Sequence, residues 1–218
     1  LMHNTLAVIL VVVLLSVLLS LGSSRMMALI KIMALQGAMV SLVPLFMESG
    51  VRLSNGGILF FQVMFLIKAV LIPGLLYLAL TRIAIKREVE PLIGYHASLA
   101  VGVVLVLVAV AISRRLAVTL HGEYALLLIT AITTLGGGLF LMMSRTKALT
   151  QVIGYLMLEN GIYLLGTALT KHSHSVYLVE FGVLLDLLVG VMIMGIILHN
   201  INRAFDDVDT AYLGQLRD

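Results

Sequence analysis

Long apolar stretches, separated by short polar connections, cover almost the whole chain. A helix that crosses the hydrocarbon core of a bilayer needs about 20 mostly apolar residues. The stretches lack the alternation of polar and apolar positions that strands of a membrane barrel show. Seven of them are long enough: residues 5–22, 26–47, 58–82, 96–113, 123–144, 149–170 and 176–199. The pattern therefore predicts an all-α polytopic membrane protein with seven transmembrane helices.

The first stretch resembles a signal peptide only superficially. Residues 2–4 contain no lysine or arginine, and no small-residue cleavage pattern follows the apolar run. A secretory signal peptide has a basic segment before its apolar run and a small-residue cleavage site after it. We therefore expect the first stretch to be retained as a membrane helix.

Composition agrees with a membrane protein and excludes a soluble enzyme. Of the 218 residues, 61% are hydrophobic and only 11% are charged, whereas soluble domains carry about 25% charged residues. The mean hydropathy is +1.14. The chain has no cysteine, which excludes disulfides and thiolate-bound metal clusters within it. The net charge of +3 is better explained by basic loops than by nucleic-acid binding.

The basic residues predict an orientation. With seven helices, nine lysines and arginines fall on one side of the membrane and four on the other. The richer side receives Arg25, Lys31, Arg82, Lys86, Arg87, Arg145, Lys147, Arg203 and Arg217. The poorer side receives Arg52, Arg114, Arg115 and Lys171. Because basic loops stay in the cytoplasm, the N-terminus is expected outside and the C-terminus in the cytoplasm.

Three charged residues lie near the middle of predicted spans. Lys68, Glu159 and Asp186 each follow about ten residues of their span, which places them roughly 15 Å deep. A charge at this depth costs about 2.5–3.5 kcal/mol and usually serves function. The three residues are therefore candidates for proton transfer. The alternatives are a hydrogen-bonded structural carboxyl, or an ion pair between Lys68 and either acidic residue.

Five further residues are secondary candidates for a proton path. Gln151 and Tyr155 share a helical face with Glu159, because they lie at successive steps of four, and Asn160 adjoins that face. Glu180 lies near the outer end of the seventh span, where it could equally be a solvated surface residue. Lys31 is about five residues into the second span, where its long side chain could reach the surface instead.

No motif predicts a catalytic centre in this chain. It contains no phosphate-binding glycine loop, no zinc-binding helix motif and no serine elbow. His172 and His174 lack the third ligand that a metal site needs. We therefore expect neither a metal nor a cofactor bound by this chain.

Four segments resemble the hydrogenase-4 component E family. They are residues 151–165 (QVIGYLMLENGIYLL), 66–73 (LIKAVLIP), 180–189 (EFGVLLDLLV) and the tail 207–218 (DVDTAYLGQLRD). The resemblance extends along most of the chain, and its segments follow the same order as in the family. It implies a membrane subunit of a group 4 nickel–iron hydrogenase complex, such as a formate hydrogenlyase-type assembly, which is related to respiratory complex I.

The last three spans also resemble subunit K of NADH–quinone oxidoreductase. The resemblance divides the chain into a four-helix part (1–122), a three-helix part (123–200) and a cytoplasmic tail (201–218). Asp186 stands where subunit K has its second glutamate, and Gly190 follows four residues later as in that pattern. The first glutamate would correspond to Leu156, whereas this chain has Glu159 three residues later. The carboxyl group would then lie about 4.5 Å deeper along the helix.

The resemblance implies a non-redox subunit in which Lys68, Glu159 and Asp186 support proton translocation. Electron transfer would occur in partner subunits, which would hold the nickel–iron centre and iron–sulfur clusters. Expected partners are antiporter-like and other membrane subunits, a soluble hydrogenase arm and the lipid bilayer. The expected location is the cytoplasmic (inner) membrane of a bacterium or archaeon. The alternatives are a subunit of a multisubunit cation/proton antiporter, which the first four spans disfavour, and a purely structural membrane anchor.

Overall fold

The computed structural model describes residues 2–47, 62–82, 92–116, 125–169 and 189–195. Within these ranges 94% of the residues are helical and no strand occurs. The helices are α1 (Met2–Gly22), α2 (Met26–Met47), α3 (residues 62–82), α4 (Tyr95–Leu116), α5 (Ala125–Ser144) and α6 (Ala148–Leu169). Residues 189–195 form a further helical segment. The all-α prediction is confirmed for this part of the chain.

By length and hydropathy, five of the described helices could each cross a lipid bilayer. The segments that qualify are Asn4–Gly22, Met26–Phe46, Gln62–Thr81, Tyr95–Leu116 and Ala125–Ser144. They agree with the first five predicted spans. The sixth predicted span corresponds to α6, a helix of 22 residues. The seventh, 176–199, is described only over its helical residues 189–195.

Helix α4 extends further than its apolar stretch predicts. It ends at Leu116, three residues beyond the predicted end, and includes Arg114 and Arg115 in its last turn. Arginine is a good helix former, and its charge is favourable near the C-terminal end of a helix. The helix can therefore continue after the apolar stretch has ended.

Helix α3 contains a widened turn. Residues Ile67–Leu71 form a π-helical turn, in which the backbone N–H of Ile72 donates to the carbonyl oxygen of Ile67. Regular α-helix resumes at Ile72 and continues to Arg82. The widened turn comes just before Pro73, which has no N–H for the regular hydrogen-bond pattern. Such turns are rare and occur often at functional sites.

The helices α1, α2, α5 and α6 form the centre of the bundle. Among the described helices, α5 and α6 pack against each other most extensively, while α1 packs against α2, α4 and α5. Helix α2 also contacts α3 and α6. Helix α3 therefore lies at one side of the bundle and α4 at another. Both leave large apolar side chains exposed, including Leu66 and Val70 on α3 and Leu107 on α4.

Glycines bring α5 and α6 into backbone contact. A Cβ atom at Gly138 would lie 2.7 Å from the carbonyl oxygen of Gly154 and 2.8 Å from the Cα of Leu158. A Cβ atom at Gly161 would lie 2.7 Å from the Cα of Leu135. Small residues permit this close packing, which drives helix association in membranes.

Replacing Gly138 by alanine is expected to destabilise the protein. The added methyl group meets backbone atoms that cannot move aside, and overpacking of this kind costs about 1–3 kcal/mol. The thermal unfolding midpoint of the purified chain in mild detergent should fall by about 2–4 °C for each kcal/mol of unfolding free energy that is lost. Gly74→Ala is the control, because among the described residues no atom beyond its own helical turn and chain neighbours lies within 4 Å of a Cβ placed there. Equal midpoints for both variants would contradict the close contact.

Hydrogen bonds between connections show which helix ends lie together. Arg145, between α5 and α6, donates from Nη2 to the carbonyl oxygen of Leu21 at the end of α1 (2.9 Å). The backbone N–H of Leu92, before α4, donates to the carbonyl oxygen of Ser144 (3.0 Å). At the opposite end, Ser113 Oγ donates to the carbonyl oxygen of Ala125 (3.1 Å). Arg25, Arg145 and Lys147 thus belong to connections at one end of the bundle.

Candidate functional site

Two apolar clusters fill the two ends of the bundle. The first contains Val17, Leu21, Met26, Leu29, Ile30, Met33, Ile72, Leu76, Ala79, Leu80, Leu141, Leu149, Val152, Ile153, Leu156, Met157, Val189 and Ile193. The second contains Ile9, Leu10, Val13, Val40, Val43, Leu127, Ala131, Tyr163 and Leu164. The first cluster lies at the end that carries Arg145, and the second lies at the opposite end.

Buried polar side chains separate the two clusters. Along α1, α2, α5 and α6 they occur between the residues of one cluster and those of the other, and along α3 a lysine precedes the first cluster. We call this set the polar layer: Ser16, Gln36, Lys68, Thr133, Thr134, Glu159 and Asn160. Gln36 and Glu159 are the eleventh and twelfth residues of their 22-residue helices. The polar layer therefore lies about halfway along the bundle.

The two charged residues of the polar layer, Lys68 and Glu159, form an ion pair. Lys68 Nζ donates to Glu159 Oε1, joining α3 to α6 across 91 residues of sequence. The two side chains are only 4% and 2% exposed. Of the partners that the sequence left open for Lys68, the structure shows Glu159.

Helix α2 completes one side of the site. A Cβ atom at Gly37 would lie 2.8 Å from the carbonyl oxygen of Lys68, so α2 and the π-helical turn are in close contact. A cavity of about 10 Å³ lies here, lined by Met33, Gly37, Lys68, Ile72, Leu156 and Asn160. One water molecule needs a cavity of about this size.

This arrangement can carry a proton without a cofactor. A proton can move along the hydrogen bond from Lys68 Nζ to the Glu159 carboxylate, which converts a charged pair into a neutral pair. Because both groups are buried, a change in nearby charge acts on them with little screening by solvent. The arrangement therefore permits proton exchange between the two groups, and nearby charge would bias that exchange.

The secondary candidates are distributed over the bundle. Asn160 is 2% exposed and lines the cavity beside Lys68. Tyr155 is half-buried and packs against the first apolar cluster. Lys31 is exposed on α2. Gln151 is also exposed, and its Nε2 donates to the carbonyl oxygen of Arg145 (3.2 Å), two turns or about 12 Å from Glu159. Of these four residues, Asn160 lines the cavity beside the ion pair.

Two acidic candidates lie outside the described residues. Asp186 and Glu180 both precede the helical segment 189–195. Val189 and Ile193 of that segment pack in the first apolar cluster. The roles predicted for Asp186 and Glu180 stay predictions.

Gln36 is a buried polar residue that the sequence analysis did not select. Its side chain is completely buried, and it precedes Gly37 at the same level as the ion pair. The available signal was its position, since it interrupts an apolar stretch near mid-depth as Lys68 does. An uncharged amide draws less attention because burying it costs less than burying a charge.

Arg145, which the sequence analysis counted only among the basic residues of the connections, is buried. It is 1% exposed, and its guanidinium carbon lies 4.9 Å from the centre of the Tyr95 ring. It donates to a carbonyl at the C-terminal end of α1, where carbonyls lack partners within the helix. Burial lowers the pKa of Arg145, while Tyr95 acts in the opposite direction. Arg145 therefore contacts the end of α1 and the start of α4 from its place between α5 and α6.

Comparison with known proteins identifies one family relationship. Over 198 residues the chain is 31% identical to the Mycobacterium tuberculosis protein named Uncharacterized protein Rv0085. The match covers 88% of this chain and 86% of the relative. No family model and no solved structure matches the chain. The chain belongs to the same family as the Mycobacterium tuberculosis protein.

Proposed function

We propose that this family member is a non-redox integral membrane subunit of a complex I-like membrane-bound hydrogenase. Its buried charged residues would take part in proton translocation coupled to electron transfer in partner subunits. The observation that carries the proposal is the Lys68–Glu159 ion pair, buried halfway along the bundle between α3, which is long and apolar enough to cross a membrane, and the 22-residue helix α6. The resemblance to the hydrogenase-4 component E family supplies the kind of complex.

A structural role alone explains the ion pair poorly. Replacing a buried ion pair by well-packed apolar residues is often neutral or stabilising, so such a pair is weak evidence for stability. Charged residues inside membrane segments instead mark proton and ion pathways. Asp186, which the resemblance also selects, would be a further proton carrier on the same path.

The proposal requires partners, because the chain itself holds no source of energy. Moving one proton against 100 mV costs about 2.3 kcal/mol, and the chain has no cysteine to ligate a redox cluster. An exergonic electron transfer in partner subunits with nickel–iron and iron–sulfur centres would supply this energy. The proposed setting is the cytoplasmic membrane, with seven spans, the N-terminus outside and the C-terminus inside.

Affinity purification of the tagged full chain from membranes in mild detergent tests the assignment. Recovery of a nickel–iron large subunit together with antiporter-like subunits is the expected result. Antiporter subunits without any metal protein would instead support a cation/proton antiporter. Recovery of the chain alone in several mild detergents would overturn the hydrogenase assignment.

A further inference from the structure

Three residues of the polar layer have buried atoms without a hydrogen-bond partner among the described residues. These atoms are both amide atoms of Gln36, the hydroxyl of Thr133 and Nδ2 of Asn160. Other buried hydroxyls in the layer are satisfied by their own helices. Ser16 Oγ donates to the carbonyl oxygen of Val13 (2.6 Å), and Thr134 Oγ1 donates to that of Thr130 (2.7 Å).

Such atoms indicate a hydrogen-bonding ligand. Buried polar groups almost always have a partner in the protein or in ordered water, because leaving one unpaired is costly. The three residues come from α2, α5 and α6, and all lie between the two apolar clusters. Gln36 requires both a donor and an acceptor, which points to a ligand that can act as both.

We propose that the polar layer is an internal hydration site. Water occupies the cavity beside Lys68 and hydrogen-bonds Asn160, and further water bonds Gln36 and Thr133. Water offers two donors and two acceptors, and the cavity of about 10 Å³ matches one molecule. A metal cation fits less well, because the ammonium group of Lys68 lines the same cavity. This proposal stands apart from the hydrogenase assignment, since it concerns only the chain's own bundle.

Two neighbouring threonines provide a matched test. Thr133 and Thr134 are both completely buried, but only the Thr134 hydroxyl bonds within its helix. In a hydrated layer, Thr133→Val removes a hydrogen bond to water and should lower the thermal unfolding midpoint by about 2–4 °C relative to Thr134→Val. Thr133→Ser, which keeps the hydroxyl, should restore at least part of that loss. Gln36→Leu should also lower the midpoint.

The opposite sign would overturn the proposal. In a dry layer, Thr133→Val and Gln36→Leu remove unpaired polar groups, so both would raise the unfolding midpoint. High-resolution electron cryomicroscopy of the purified full-length protein gives a second measurement that needs no variant. Water density within hydrogen-bonding distance of Asn160 Nδ2 and Gln36 is expected. Protein side chains on those atoms, or no density where other buried waters are visible, would contradict hydration.

Discussion

Replacing Lys68 by methionine is expected to destabilise the bundle more than any other single change considered above. The variant leaves the Glu159 carboxylate buried without its cation, and breaking a buried ion pair in this way costs about 3–5 kcal/mol. Thermal or denaturant unfolding of the purified chain in mild detergent measures the loss. Lys31→Met is the matched control, because Lys31 is an exposed lysine on the neighbouring helix α2, and it should change stability by no more than about 0.5 kcal/mol.

The double variant distinguishes a broken pair from a general loss of packing. Lys68→Met combined with Glu159→Leu removes both charges, and such apolar replacements are often neutral or stabilising. The double variant should therefore recover most of the stability that Lys68→Met loses. If the stability changes of Lys68→Met and Glu159→Leu, measured separately, add up to that of the double variant, the two side chains do not interact. The ion pair is then not formed in the membrane protein.

Loss of the Glu159 carboxyl should abolish proton translocation at this site while electron transfer in the partner subunits continues. Glutamine keeps the shape and can still accept a hydrogen bond from Lys68, but it cannot take up a proton. Proton uptake by inverted membrane vesicles, measured per electron transferred during hydrogenase turnover, should fall well below the native ratio for Glu159→Gln. The matched control is Thr167→Val on the same helix, since the Thr167 hydroxyl bonds to the carbonyl oxygen of Tyr163 within its own helix, two turns from Glu159; its ratio should equal that of the native complex.

Asp186 provides the comparison that separates a proton path from a structural anchor. We expect Asp186→Asn to lower the proton-to-electron ratio as well, because the resemblance places it at a second proton-carrying position. If Glu159→Gln and Asp186→Asn both translocate protons at the native ratio, the chain serves only to anchor the complex. The two variants must first be shown to assemble, which recovery of the nickel–iron subunit with each tagged variant establishes.

The positions of the helices could be predicted because membrane insertion imposes a length and a polarity on each segment. An apolar stretch of about 20 residues has few alternatives to a membrane helix, so five predicted spans agree with described helices. The end of α4 was predicted too early because Arg114 and Arg115 end the apolar stretch without ending the helix. Apolarity thus predicts where a helix can cross the bilayer better than where its backbone stops.

The contacts within the site could be predicted only in part. The depth of Lys68 and Glu159 followed from counting residues, but the choice between Glu159 and Asp186 as partner depends on how distant segments pack. Lys68 and Glu159 are 91 residues apart in sequence. Both residues of the ion pair lie in segments quoted for the resemblance, 66–73 and 151–165, while Gln36 was not selected because an amide carries no charge. The burial of Arg145 could not be predicted because it depends on the end of α1, 124 residues away.

Infrared difference spectroscopy of the purified complex, comparing turnover with rest in H₂O and D₂O, shows most directly whether Glu159 exchanges a proton. Our interpretation predicts a protonated-carboxyl band that changes during turnover, shifts in D₂O and disappears in Glu159→Gln. Its position should also differ in Lys68→Met, because the carboxyl group then loses its hydrogen-bond donor. A native spectrum without any carboxyl change, or a band that persists unaltered in Glu159→Gln, would contradict a proton-carrying role for this site.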